Sequence, residues 1–226
     1  MFIATNSTVI FVMTKRSRSS QHWLDRHRKD EYSRRARKLG HVSRAHFKLE
    51  QLDQRFKLLS GVNYALELGG APGGWTSYIE NNLEPNGKLI TVDPLEVRSG
   101  PKTIHIQGLA GTKQIDSQIL DILDGIKLDI VLSDMAPNIS GIKIRDQAEA
   151  MNLAFLALSK ARLLLKKGGA LALKSFQNPD ISEFLQEVKK CFGSVRIVKP
   201  PASRSQSSEV YVVAKAFRFG SNANWI

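Results

Sequence analysis

The sequence predicts a single α/β domain built on a mostly parallel sheet, and three observations predict it. Short apolar runs alternate along the chain with longer segments of helical periodicity, the pattern of strand–helix–strand units. The first of these runs, Tyr64–Leu68 (YALEL), opens into a glycine-rich turn, and later runs end on Asp93 and Asp134. The chain has 226 residues, of which 42% are apolar, enough for a full core in one domain of ordinary size.

The elements follow in order. Ser20–Leu39 is polar with scattered Trp23, Leu24, Tyr32, Ala36 and Leu39, and reads as helical. Ser43 is placed to cap a helix running to about Lys57, with Phe47, Leu49, Leu52 and Phe56 on its apolar side. Tyr64–Leu68 is a strand, Trp75–Leu83 a helix closed by Pro85, Asn86 and Gly87, and Lys88–Val92 the next strand. Thr103–Gln107 is a third strand, Thr112–Leu123 a helix and Asp129–Leu132 a fourth strand. Arg145–Lys166 is a long helix stopped by Gly168–Gly169. Ala170–Lys174, Val195–Lys199 and Glu209–Ala214 complete seven strands, with a helix over Ile181–Phe192. The loop Pro200–Ser208 (PPASRSQSS) is too short for a crossover, so the last strand can run antiparallel.

The net charge is +12, and its distribution is uneven. Residues 1–13 (MFIATNSTVIFVM) carry no charge. Residues 14–57 carry 14 Lys+Arg against 5 Asp+Glu, whereas residues 58–226 carry 19 against 16. A basic N-terminal segment thus precedes a nearly neutral body, which points to a nucleic-acid partner. The first thirteen residues lack the order of a signal peptide, because their basic residues follow the apolar run. We expect them to be an extension, with Met13 a plausible start. The expected organisation is therefore 1–13 extension, 14–57 basic nucleic-acid-binding helical segment, 58–216 α/β domain and 217–226 tail. A single cysteine, Cys191, excludes a disulfide framework and a cysteine-rich zinc site. No apolar run reaches the roughly 18 residues of a membrane span. His22, His27, His41, His46 and His105 are scattered and suggest no metal site.

The run Glu67-Leu68-Gly69-Gly70-Ala71-Pro72-Gly73-Gly74-Trp75 follows the first strand and opens a helix. Glycine lets a backbone approach a ligand where a β-carbon would collide. Asp93 ends the second strand, 26 residues after Glu67, where a carboxylate can accept both hydroxyls of a ribose. Together they predict a nucleoside site. The dinucleotide fingerprint is absent, since Ala71 stands where its second glycine would be. A NAD-dependent oxidoreductase is accordingly disfavoured. Asp134, in Ser133-Asp134-Met135-Ala136-Pro137-Asn138, ends the fourth strand in the same crevice, and Lys174 closes the apolar fifth strand.

Four ordered motifs, SRAHFKL from Ser43, ELGGAPGGW from Glu67, SDMAPN from Ser133 and LALKSFQ from Leu171, are followed by SSEVYVV from Ser207. With these the chain resembles the FtsJ/RrmJ ribose 2′-O-methyltransferases over about Ser19 to Ala214. The resemblance implies a seven-stranded, Rossmann-like methyltransferase sheet with an antiparallel last strand and helices on both faces. It also implies S-adenosylmethionine as cofactor and a Lys-Asp-Lys-Glu tetrad falling on Lys48, Asp134, Lys174 and Glu209. Cofactor contacts would fall on Gly69, Gly73, Gly74, Trp75, Asp93 and Asp134. Leu109 stands where members often carry an Asp near the adenine; it can pack on the ring but cannot accept its amino proton. Glu67 stands where Asp is common.

The resemblance is strongest to bacterial members that modify a uridine in the A loop of large-subunit (23S) ribosomal RNA. It implies a cytoplasmic, metal-independent monomer acting on the large subunit. A neutral Lys174 could take the hydroxyl proton, with Asp134 and Lys48 placing it and Glu209 auxiliary. These four charges form one coupled site. Arg34, Arg35, Arg37, Lys38, Arg44 and Arg204 are the expected RNA contacts, with phosphates rather than bases as their partners. A tRNA-directed or other ribose methyltransferase, and a non-catalytic ribosome-assembly factor that kept the fold, are the alternatives.

Overall fold

The computed structural model describes residues 31–178, 181–204 and 206–219. Two helices, α1 (Glu31–Lys38) and α2 (Ala45–Phe56), precede the sheet. Then follow β1 (Tyr64–Leu68), α3 (Gly74–Asn82), β2 (Lys88–Asp93), β3 (Thr103–Gln107), α4 (Lys113–Leu123) and β4 (Leu128–Ser133). The chain continues through α5 (Lys143–Leu164), β5 (Leu165–Phe176), α6 (Ile181–Cys191), β6 (Phe192–Val198) and β7 (Glu209–Phe217). The sheet has seven strands in the order β3-β2-β1-β4-β5-β7-β6. β7 is antiparallel to both its neighbours, and every other pairing is parallel. The order reverses at β1 and β4, so the crevice for a ligand opens beyond their carboxyl ends.

Central strands bury both faces, and β4 is buried at all six positions. One face carries Leu66, Leu68, Leu171, Leu173, Val212 and Ala214 against α4, α5 and α6. The other carries Ala65, Ile130, Leu132, Ala172 and Tyr211 against α2 and α3. Leu49 and Leu52 of α2 belong to that second core, so the helix at the end of the basic segment is integral to the body.

Tyr64–Leu68 and Thr103–Gln107 are strands over the ranges the sequence suggests. Ser43 lies one position before the cap itself: Arg44 occupies it, and the Ser43 hydroxyl accepts from the Ala45 N–H at 3.2 Å. The long helix differs more. It runs from Lys143 to Leu164 rather than from Arg145 to Lys166, and Gly168–Gly169 lie inside β5 instead of stopping the helix. Leu128 pairs with Leu165 but Ile130 pairs with Ala170, so the stretch between them bulges out of the ladder. Gly168 takes a positive φ of 85° there, and Lys166 forms an ion pair with the Asp129 carboxylate. Asp129 also accepts the Asn63 and Tyr64 N–H groups, both at 2.8 Å, tying the bulge to the start of β1. β7 continues to Phe217, which is buried, so the ordered body extends past the expected boundary at 216. The early part of the helix expected over Ser20–Leu39, the cations Lys15, Arg16, Arg18, Arg26, Arg28 and Lys29, and the 1–13 extension lie outside the described residues.

Candidate active site

The antiparallel β5–β7 pair builds one half of the site. Lys174 stands opposite Tyr211, and Phe176 opposite Glu209. Side chains alternate along a strand, and directly opposed residues share a face. Lys174, Tyr211 and Glu209 therefore project to the same side, the one covered by α2. α2 supplies Lys48 from above, and the residue after β4 supplies Asp134.

The four residues of the expected tetrad meet there as two ion pairs. Lys48 Nζ lies 2.8 Å and 3.0 Å from the two oxygens of Glu209. Lys174 Nζ lies 3.2 Å from Asp134 Oδ1 and also donates to the Asp134 main-chain carbonyl. All four side chains are largely buried, with Lys174 only 8% exposed. Tyr211 links the pairs: its hydroxyl donates to Asp134 Oδ1 at 2.8 Å, and the Lys48 ammonium sits 5.8 Å from its ring centre. Burial, with the Asp134 and Glu209 charges beside it, pushes the Tyr211 phenol well above its ordinary range, so it stays a donor. Ser203 donates to Glu209 at 2.9 Å and fixes the outer pair to the loop before β7. Tyr211 and Ser203 are absent from the residues predicted by sequence. For Tyr211 the available signal is its position two residues after Glu209 in a strand.

A cavity of about 250 Å³ opens on the Lys48–Glu209 pair and is lined also by Arg44, Arg204 and Ser207. Arg44 donates to the Ala202 carbonyl, and burial together with the nearby Arg204 charge holds its pKa below the usual guanidinium value. Two guanidinium groups and a lysine thus line a cavity that also holds one carboxylate, a setting suited to an anion.

The protein's own packing also demands the glycines of this turn. A β-carbon at Gly69 would come within 2.8 Å of the Met135 backbone, and one at Gly73 would collide with the Arg98 carbonyl. Gly73 also takes a φ of 108°, which L side chains rarely adopt. At Gly70 and Gly74 the obstacles are the Thr91 and Ser43 hydroxyls. The protein's own segments crowd this turn, so glycine is required before any ligand arrives. Asp93 accepts the Ala71 N–H at 3.0 Å and the Leu95 N–H at 2.9 Å, which pins the turn to the end of β2. Each of its oxygens keeps a further lone pair for a ligand hydroxyl. Trp75 is 2% exposed and its indole donates to the Ala45 carbonyl at 2.9 Å, so its ring serves packing and anchors α2 to the turn. Leu109, by contrast, is 64% exposed beyond β3, and offers an apolar surface at the mouth of the crevice.

Below the turn, Glu67 is fully buried. One carboxylate oxygen accepts the Thr76 and Thr91 hydroxyls at 2.6 and 2.8 Å, and the other has no hydrogen-bond partner. Burial, opposed by those two hydrogen bonds and helped by the Asp134 and Asp93 charges, pushes its pKa up to about 7. Arg34, Arg35, Arg37 and Lys38 are all exposed on α1, and Arg35 lies 4.9 Å from the Phe47 ring centre. Among the described residues, no group of three or more His, Cys, Asp or Glu could hold a metal ion, and no helix is long and apolar enough to cross a membrane.

The Rossmann-like sheet of this order thus carries Asp93, Asp134 and Lys174 at the carboxyl ends of its strands. Residues 41–217 match the model of the FtsJ-like methyltransferases, and the chain belongs to that family. It is 41% identical over 203 residues to a ribosomal RNA large subunit methyltransferase E from Coxiella burnetii, covering 88% of this chain and 95% of the relative. It is also 41% identical over 204 residues to the protein of that name from Stutzerimonas stutzeri, covering 90% and 99%. Among solved structures, a ribosomal RNA methyltransferase from Plasmodium falciparum superposes with a TM-score of 0.68 at 28% identity, covering 77% of this chain and 97% of that one.

Proposed function

We propose that this protein transfers the methyl group of S-adenosylmethionine to the ribose 2′-hydroxyl of a uridine in the A loop of 23S ribosomal RNA, acting as a cytoplasmic monomer on the large ribosomal subunit. The observation that carries this reading is the pairing of Lys174 with Asp134 and of Lys48 with Glu209 around Tyr211, the second pair lining a cationic cavity. The relatives' names support ribosomal RNA as the acceptor.

The crevice residues fit the cofactor. Asp93 has lone pairs for ribose hydroxyls, the exposed Leu109 gives an adenine an apolar surface, and Asp134 lies near the expected methyl end. When bound, S-adenosylmethionine supplies a methyl group activated by a sulfonium centre. The protein's own residues must then orient a ribose hydroxyl and take its proton. Lys174 is the group positioned for the proton, held by the Asp134 side chain and carbonyl. Lys48 and Glu209 neutralise one another beside it, so the cavity presents no net carboxylate charge to an incoming phosphate backbone. Arg44 and Arg204 then meet that backbone, and the basic segment 14–57 extends the contact.

Single-turnover methyl transfer on large subunits tests the assignment. Lys174→Ala is expected to lower the rate at least about a hundredfold, the scale of a lost acid–base group, while leaving cofactor binding within about twofold of wild type. Full activity of that variant across the pH range would remove Lys174 from the reaction.

A further inference from the structure

A second cavity, of about 310 Å³, lies beside the other side of the first turn of α2. Arg44 and Lys48 are four residues apart and share the face that lines the catalytic cavity. His46 falls between them on the opposite face and lines the second cavity with His41, Ser77, Asn81 and Arg98. The His41 and His46 rings are stacked, with centroids 3.6 Å apart and planes 17° from parallel. His46 is 7% exposed, and its Nδ1 has no hydrogen-bond partner among the described residues. Burial and the neighbouring His41 lower its pKa to about 4, so the inner ring is neutral near pH 7.

The charges around the cavity are unequal in what they offer. Glu80 also lines it, but its two oxygens accept the Gly100 and Lys102 N–H groups at 2.7 and 3.2 Å and hold that loop. Arg98 is exposed, and no carboxylate pairs with its guanidinium among the described residues. A stacked pair of flat rings, a free cation, and the hydroxyl and amide of Ser77 and Asn81 together offer the elements by which proteins hold an unstacked RNA base. Such a base is stacked on aromatic side chains, hydrogen-bonded at its edge and anchored through its phosphate.

We propose that this cavity takes a nucleotide of the RNA substrate that lies close to the one methylated, with its base against the His41–His46 pair and its phosphate on Arg98. This rests on the reading of the catalytic site as RNA-directed. The two cavities flank a single helix, whose diameter with side chains is roughly 10–12 Å, a span that one or two nucleotides can bridge. The exposed cations of α1 end just before Gly40 and His41, so the phosphate-binding surface reaches this cavity as well.

The test compares the full-length wild type with Arg98→Ala and His41→Ala, using an A-loop RNA for binding and large subunits for methylation. His41→Ala is expected to weaken RNA binding roughly tenfold, the effect of losing one stacked base. Arg98→Ala should weaken it too, and should reduce the slope of log Kd against log salt by about 0.7, one phosphate contact on a single strand. Both should raise KM for the subunit, with kcat and the cofactor Kd within about twofold of wild type. Unchanged RNA affinity in both variants would overturn the proposal. So would an unchanged salt slope in Arg98→Ala, or a cofactor Kd rising as far as the RNA Kd, which would make the cavity part of the cofactor site. A wild type that binds RNA but fails to methylate it would refute the activity proposed above and leave the cavity to be judged by the binding data.

Discussion

Tyr211→Phe removes one oxygen atom from the centre of the site, and the structure sets the size of the effect. Tyr211 is fully buried and its hydroxyl donates to Asp134 Oδ1 at 2.8 Å, closer than the Lys174 ammonium at 3.2 Å on the same oxygen. A hydrogen bond to a charged acceptor contributes about 1.5–3 kcal/mol, and no water can replace a donor in a fully buried position. Without it Asp134 relies on Lys174 alone. Lys174, held by the Asp134 side chain and carbonyl, is then less firmly placed. The expected result is a fall in single-turnover rate of roughly 10–150-fold, the same 1.5–3 kcal/mol expressed as a rate. The cofactor Kd should stay within about twofold. Rapid-quench methyl transfer from labelled S-adenosylmethionine measures the rate, and equilibrium binding the cofactor Kd. A variant with the wild-type rate would show that Tyr211 does not position Lys174 through Asp134.

Two further predictions follow from the exposed cations and the buried titratable groups. Neutralising Arg34, Arg37 and Lys38 together should weaken RNA binding and flatten its salt dependence while sparing cofactor binding; equal losses of both would indicate unfolding instead. Arg35 is left out because it packs over Phe47, and its removal would mix charge with packing. Stability against urea should carry two opposed pH dependences. Glu67 keeps its proton up to about pH 7 when folded but loses it near 4.5 when unfolded, so its contribution to stability is lost as pH rises through that window. His46 stays neutral down to about pH 4 when folded but protonates near 6.5 when unfolded, so its contribution is lost as pH falls through that window. Glu67→Gln should therefore unmask the His46 trend, giving stability that rises with pH between about 4 and 6.5. A Glu67→Gln curve parallel to wild type would contradict the buried, protonated carboxyl.

Most of the sheet is legible in the sequence because its strands are short, apolar and bounded by turn residues, as at Tyr64–Leu68 and Thr103–Gln107. The exception, at Gly168–Gly169, is instructive. A glycine pair after a helical stretch signals a helix stop, but here Leu165 already pairs with Leu128 and the glycines form the bulge within the strand. Only the register with β4 reveals that. The tetrad was legible through its motifs, whereas Tyr211, which couples the two ion pairs, reads as one more apolar position in EVYVVA. Its role comes from standing opposite Lys174 across an antiparallel ladder. The glycines of ELGGAPGG suggest room for a ligand, yet the atoms that exclude a side chain belong to Met135, Thr91, Arg98 and Ser43, all remote in sequence. His41 and His46 look scattered for a similar reason, since the turn at Gly40 and the start of α2 are what bring their rings together.

This methyltransferase is expected to modify a ribose hydroxyl of large-subunit ribosomal RNA. The most direct measurement incubates the protein with methyl-labelled S-adenosylmethionine and large subunits from a strain lacking that methylation, then maps the label by nuclease digestion and primer extension. One labelled nucleotide is expected, a uridine of the A loop, resistant to alkaline cleavage on its 3′ side because its 2′-oxygen carries the methyl group. Label on a base, label on a transfer RNA in preference to the subunit, or no transfer with the cofactor demonstrably bound would contradict it.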